Sequence, residues 1–332
     1  MQRRRVCLTG GVPALKAGIA NPKRLPTSEK KMTRFVLLLF ALLGVACSGP
    51  ALVQMAGVEE GHSVSIDGVE RTWRMFVPDQ YEEGIALPLV LNLHGTGSTP
   101  DRQSQYSEFE ILAAKEGFLV ASPAGKFPRS RDGVPTWNVD LIQDGVDDVD
   151  FIKKLIATIS SEYSVDPNRI YATGFSGGAR MSSRLACELS ESIAAIGAVG
   201  GIRYPEDCNP ARPVPVIIFH GKRDRVNHYT HQVDSPDYWR MGVEDALGGW
   251  VTRNDCADNY REEVVSQTVS RLSYSGCEGG ADIVFYRSED GGHTWPGSAA
   301  ARARQEKEPG TTESEIPATI WIWDFFESHP LG

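Results

Sequence analysis

Two kinds of apolar pattern divide the chain. Between residues 62 and 77 polar and apolar positions alternate, and His62-Ser63-Val64-Ser65-Ile66 and Arg71-Thr72-Trp73-Arg74-Met75-Phe76-Val77 flank Asp67-Gly68. That pairing predicts an antiparallel hairpin. From Pro88 onward the alternation gives way to unbroken runs: Leu89-Val90-Leu91-Asn92-Leu93, Phe118 to Ser122, Ile170 to Thr173, Ala194 to Val199, Pro213 to Phe219 and Asp282 to Tyr286. Such runs suit strands covered on both faces. Between them, helical spacing marks Phe109 to Lys115, Phe151-Ile152-Leu155-Ile156-Ile159, Met181 to Leu189, part of Trp239 to Asp255, and an aromatic closing segment from Ile316 to Phe326. Strand and helix alternate, which predicts an α/β fold: a doubly wound, mostly parallel sheet with an antiparallel N-terminal hairpin.

The first 47 residues stand apart. Met32-Thr33-Arg34 followed by the apolar run Phe35 to Val45 has the charged start and short hydrophobic stretch of a secretory signal, too short to span a bilayer. Residues 1–31 lie upstream of it, basic and patternless, so Met32 is a candidate start. The organisation expected is a signal segment at 1–47, a flexible lead at 48–60 and a single catalytic domain at 61–332, secreted or periplasmic and monomeric. Gly44-Val45-Ala46-Cys47 also resembles a bacterial lipobox, in which Cys47 would carry a lipid anchor; cleavage near Ser48 would leave none.

Beyond residue 47 the 332-residue chain has 25 basic against 42 acidic residues. A body so acidic repels nucleic acid and anionic lipid, and neither is expected as a partner. Four cysteines remain there, Cys187, Cys208, Cys256 and Cys277, an even number in an oxidising compartment. Of three possible pairings, Cys187–Cys208 and Cys256–Cys277 are favoured because each is local and closes a similar loop. No cysteine or histidine spacing suggests zinc. Asp144, Asp147, Asp148 and Asp150 do not fit a calcium loop, and Asp147 or Asp148 is better placed to cap the helix that follows. No metal or cofactor is expected.

The chemistry gathers at strand ends. Gly174-Phe175-Ser176-Gly177-Gly178 fits G-x-S-x-G at a strand-to-helix turn, where a serine in a strained conformation needs neighbours without side chains. The N–H of Gly177 at the helix start would face a developing oxyanion. His94-Gly95-Thr96-Gly97-Ser98 follows an early strand and offers the N–H of Thr96 as second donor; a phosphate loop fails there because Pro100 stands where the third glycine belongs. Asp224 lies just past a later strand, and His293 in Gly291-Gly292-His293-Thr294-Trp295-Pro296-Gly297 comes after it, giving the order Ser, Asp, His. Trp137, in a Gly- and Pro-rich loop, with Trp295 and His94 are candidate substrate-binding residues, His94 also as a residue that fixes its loop.

Taken together, Leu91-Asn92-Leu93-His94-Gly95, the stretch Gly174 to Met181, His220-Gly221 with Asp224, and Gly292 to Gly297 resemble the secreted polyhydroxybutyrate depolymerase and feruloyl esterase family of α/β-hydrolases. The resemblance runs from about Ser63 to Phe326. It implies the α/β-hydrolase fold, Ser176, Asp224 and His293 as catalytic triad, and two disulfides in the favoured pairing. The family often carries a cysteine or a glycine run after His-Gly, where this chain has Thr96-Gly97-Ser98. The expected activity is a serine esterase on feruloyl or acetyl groups of plant polysaccharide, with polyhydroxybutyrate as the alternative substrate. A prolyl-oligopeptidase-like peptidase would normally bring a gating domain, and a non-catalytic binding lipoprotein would not need the three residues in order.

Overall fold

The computed structural model describes residues 57–128, 134–142, 145–257, 259–299, 302–303 and 316–332. The signal segment at 1–47 with Cys47, most of the lead, Asp144 and nearly all of the polar stretch 298–314 lie outside the described residues.

The hairpin forms as expected. Strands β1 (Val58–Ile66) and β2 (Val69–Phe76) pair antiparallel, and the turn uses Asp67 at φ 47° and Gly68 at φ 77°, the two positive values that a two-residue hairpin turn demands. The apolar runs become β3 (Leu87–Leu93), β4 (Leu119–Pro123), β5 (Val165–Phe175), β6 (Ile196–Val199) and β7 (Val216–Gly221). Beyond them come β8 (Arg261–Val264), β9 (Val269–Tyr274) and β10 (Ile283–Ser288). One sheet holds all ten in the order β1-β2-β4-β3-β5-β6-β7-β10-β9-β8, with β4 through β10 parallel at its centre and an antiparallel pair at each edge. The second antiparallel edge, β8 with β9, escapes the apolar pattern because β8 is charged and mostly exposed and β9 buries only Val269 and Leu272 between half-exposed positions.

Why the central runs are apolar without interruption is visible in how they divide. Leu89, Leu91, Ile218, Ile283 and Phe285 join one buried cluster, whereas the residues between them, Val90, Ile217 and Val284, join another. Successive side chains point to opposite faces, and both faces are covered. The first is covered by α3 (Asp148–Glu162), α4 (Gly177–Glu188) and α5 (Val243–Arg253). The second is covered by α2 (Phe109–Glu116) and α6 (Ala318–Glu327), where Trp323 stacks on Phe118 at 3.8 Å and Phe326 on Tyr171 at 4.6 Å between ring centroids. Ahead of α2 lies α1 (Pro100–Ser107), which apolar spacing does not announce because the segment is polar throughout; its signals are Thr99, whose hydroxyl accepts the Arg102 N–H, and Pro100 in the first turn.

Both disulfides have the favoured pairing, Cys187–Cys208 and Cys256–Cys277. The acidic cluster divides its work. Asp147 caps α3 by accepting the Asp150 N–H at 2.8 Å. Asp148 is fully buried and pairs with the equally buried Arg71 of β2, while its other oxygen accepts the Asn138 N–H. Burial pushes the Asp148 carboxyl up, against the opposing pull of Arg71. Such a pair adds little net stability, yet breaking it strands a charge in the core.

Four parallel strands end on the same edge of the sheet, so the loops after β3, β5, β7 and β10 are neighbours there. These are the loops that carry His94 to Ser98, Ser176, Asp224 and His293.

Replacing Asp148 with Ala is expected to cost about 3–5 kcal/mol, because Arg71 is left buried without its carboxylate. Replacing both residues together with apolar side chains should cost less, a difference that urea unfolding of the two variants measures.

Candidate active site

Ser176 sits between β5 and α4 at φ 55° and ψ −109°, a conformation that L-residues avoid. What holds it there is crowding. A Cβ added at Gly178 would lie 2.1 Å from the Leu93 carbonyl oxygen, and one at Gly174 would lie 2.6 Å from both that oxygen and the Gly178 carbonyl carbon. Only bare backbone lets β3, β5 and the start of α4 approach so closely. Gly177 is the first residue of α4, so its N–H has no acceptor within the helix. A Cβ on Gly177 would come within 3.0 Å of the Thr96 backbone nitrogen. The two amides expected to serve together therefore lie side by side.

The loop carrying Thr96 is pinned from below. His94 is buried, accepts the Gly125 N–H on Nε2 at 2.9 Å and donates Nδ1–H to the Gly95 carbonyl at 2.8 Å. Burial holds its pKa below the ordinary histidine value, against the opposing Gly95 hydrogen bond, and the ring stays neutral. Trp137 Nε1–H donates to the His94 carbonyl, and the Thr96 and Thr136 hydroxyls bond to each other at 2.8 Å. As a substrate-binding residue His94 is corrected: both its nitrogens are committed to backbone, and it fixes the loop instead. Trp295 is corrected too. It is fully buried, donates Nε1–H to Thr319 Oγ1 and packs edge-on against Phe109, away from any cavity beside Ser176.

On the opposite side Asp224 Oδ2 accepts from His293 Nδ1 at 2.7 Å. Its other oxygen accepts the N–H groups of Val226 and Asn227, each at 2.8 Å. Burial raises the carboxyl's pKa, but the bond and charge of His293, then His220 and the Asn227 N–H, outweigh it and hold Asp224 below the ordinary carboxylate range. With Nδ1–H given to Asp224, His293 presents Nε2 as a base. Its ring lies over Phe175, with 4.7 Å between centroids, and it lines one cavity together with Ser176.

Two further residues, Asn227 and His220, support this arrangement. Asn227 is fully buried and spends its side chain on the Gly200 carbonyl, at 2.6 Å, and on Arg180, at 3.4 Å. His220, at the end of β7, donates Nε2–H to the Asn227 carbonyl at 2.9 Å and lies 3.4 Å from Asp224 Oδ2; its Nδ1 has no partner among the described residues. Burial lowers its pKa, with Asp224 and the Asn227 carbonyl opposing. His220-Gly221 is visible in the sequence, but nothing there ties it to Asp224 through Asn227.

Two cavities meet at the site. The first, about 620 Å³, contains Ser176, His293, Phe175, Tyr106 and Val226. The second, about 540 Å³, is walled by Trp137, Asp140, Arg203 and Arg240, so Trp137 lines this neighbour rather than the space around the serine. Thr96, Arg180 and Tyr238 border both. A hydroxyl, an imidazole held by a carboxylate and a pair of neighbouring amides can together activate an alcohol and stabilise an oxyanion.

Known proteins resemble this chain in sequence and in fold. Feruloyl esterase B of Piromyces equi is 29% identical over 226 residues, covering 65% of this chain and 41% of the relative. The bifunctional acetylxylan esterase/xylanase XynS20E of Neocallimastix patriciarum is 32% identical over 142 residues, 43% of this chain and 20% of the relative. The chain thus spans less than half the length of either. Feruloyl esterase D of Neurospora crassa is 24% identical over 316 residues, covering 90% of this chain and 97% of its own. Among solved structures, an S-formylglutathione hydrolase from Agrobacterium tumefaciens superposes with a TM-score of 0.50 at 14% identity, covering 81% of this chain and 94% of that one. Native pOPH gives 0.52, also at 14%, over 86% and 91%. These likenesses show the fold, which is of the α/β-hydrolase type. Residues 75–260, including Thr96, Ser176 and Asp224 and stopping short of His293, match the family described as Esterase PHB depolymerase; that stretch is more than half of the chain, and the protein belongs to that family.

Proposed function

We propose that this chain is a carboxylic ester hydrolase working through an acyl-enzyme on Ser176. The observation that carries the reading is the 2.7 Å bond between His293 and Asp224 in a cavity that also contains Ser176. His293 Nε2 takes the proton of Ser176 Oγ as that oxygen attacks the ester carbonyl, and Asp224 keeps the ring in the required tautomer and stabilises its positive charge. The Gly177 and Thr96 amides hold the oxyanion, each contributing about 3 kcal/mol to the transition state. As the tetrahedral intermediate collapses, the C–O bond breaks and His293 returns its proton to the departing alcohol. Water then repeats the attack on the acyl-serine.

The substrates proposed are feruloyl or acetyl esters of plant polysaccharide or its oligosaccharides. The names of the relatives, feruloyl and acetylxylan esterases, support this choice. Export to an oxidising compartment is supported by the two disulfides and by the apolar run from Phe35 to Val45. A second reading, polyhydroxyalkanoate depolymerase, is favoured by the family description and by exposed apolar residues at the cavity mouths, Val226 at 43% and Ile142 at 51% exposure. Methyl ferulate assayed beside hydroxybutyrate oligomers separates the two.

Replacing Ser176 with Ala should lower kcat on methyl ferulate by about 10⁴-fold or more with KM little changed. A fluorophosphonate should add one adduct, located on Ser176 by peptide mass spectrometry; an Ala variant that retains near-full turnover would remove the proposal. The acid side of the pH profile follows from the depressed Asp224. Its carboxyl stays ionised through the ordinary carboxylate range, so the acid limb of kcat/KM should show no second protonation there. A slope of two through the ordinary carboxylate range would mean that Asp224 titrates together with the base.

A further inference from the structure

The second cavity has no part in the mechanism above, yet it shares Thr96 and Arg180 with the cavity around Ser176. Which half of an ester it could receive is fixed by the proton that His293 must deliver. When the C–O bond breaks, the electron pair leaves on the alcohol oxygen, which must stand within hydrogen-bond reach of the imidazole to be protonated. His293 borders the first cavity and, among the described residues, not the second. The alcohol therefore stays on the His293 side. The oxyanion points to Gly177 and Thr96, and the remaining substituent of the tetrahedral carbon, the acyl chain, leaves past Thr96, Arg180 and Tyr238.

What waits beyond is a wall of oriented donors. Asp140 binds two guanidinium groups at once, Arg203 Nη2 at 2.6 Å and Arg240 Nη2 at 3.3 Å, so one carboxylate fixes two cations. Arg203 is almost wholly buried and Arg240 stands at the half-exposed rim. Arg180 adds a third guanidinium, stacked 4.5 Å over the Tyr238 ring, and Asp237 is the other carboxylate of the lining. Among the described residues, three cations against two anions leave this wall net positive in an otherwise acidic protein. Phe127, Val139 and Ile142 supply apolar surface for the chain or ring that leads there. The Trp137 indole and the Asn138 amide are already bonded within the protein, whereas Arg203 keeps a buried Nε with no partner among the described residues and Arg240 is exposed at the rim.

We propose that the two cavities split the ester: the alcohol is held beside His293, and the acyl group extends into the second cavity, where an oxygen acceptor at its far end is bound by the Arg203–Asp140–Arg240 cluster. This rests on the esterase reading and adds the orientation and chemical class of its substrate. Two sources supply such an acceptor, the phenolic oxygen of a hydroxycinnamoyl group and the carboxylate of a dicarboxylic half ester.

The test uses four methyl esters in matched pairs, methyl ferulate with methyl cinnamate and monomethyl adipate with methyl hexanoate, measured as ratios of kcat/KM in the wild type and in Arg240→Gln. The wild type is expected to prefer the acceptor-bearing member of at least one pair, and Arg240→Gln to reduce that preference about tenfold; the pair that responds identifies the source. A control variant, Gln105→Ala in the first cavity, should leave that ratio in place and instead alter the preference for a feruloylated arabinoside over methyl ferulate. Acyl ratios that Arg240→Gln leaves at wild-type values, or an alcohol preference that it changes in their stead, would overturn the orientation while ester turnover persists. Failure of all four esters together with no fluorophosphonate adduct on Ser176 would instead overturn the esterase reading itself.

Discussion

The structure turns on one steric constraint, the approach of the Gly178 backbone to the carbonyl of Leu93. Because no side chain separates them, helix α4 begins directly against the end of β3, and Ser176 is forced into a backbone conformation that it would not choose. Three things follow from that closeness. The hydroxyl stands clear of the sheet, the first amide of α4 falls beside Thr96, and the loop after β3 becomes part of the same site. Any side chain at position 178 would push the helix away and undo all three.

Opposite this rigid corner, the polar half of the site is held by hydrogen bonds rather than by sterics. Asp224 is buried, which penalises its charge, but two backbone amides and one imidazole compensate. Asn227 extends the network, because its own backbone serves Asp224 and His220 while its side chain reaches Gly200, the residue against which His293 packs. His293 is thus held by the Asp224 carboxylate, with the neutral Asn227 behind it. Low dielectric strengthens such a network only when its members are satisfied, and here the open position is the His220 Nδ1.

How much of this could be read from the chain alone depends on the kind of force involved. Strands β3, β5, β7 and β10 were legible because burial on two faces leaves an unbroken apolar run, and Ser176, Asp224 and His293 because each follows such a run by only a few residues. Helix α1 and strands β8 and β9 were not, since α1 is mostly polar, β8 is charged and β9 offers only Val269 and Leu272 to the core. His94 and Trp295 look alike in sequence to pocket residues, being a histidine and a tryptophan flanked by glycine or proline. Packing alone separates them: both direct their polar atoms inward to partners far along the chain. The side chain of Asn227 and the arginines at 203 and 240 act on partners more than twenty residues distant in sequence, which no local pattern encodes.

Helix α4 starts directly after Ser176, and Cys187 in its last turn is bonded to Cys208. Twelve residues of helix form a rod of about 18 Å, stiff enough to carry a displacement from one end to the other. Where thiols are kept reduced, the rear of that rod loses its tether while the front still bears the hydroxyl. The disulfide and the buried face from Ala179 to Ala186 thus tie down the same helix whose first turn borders Ser176.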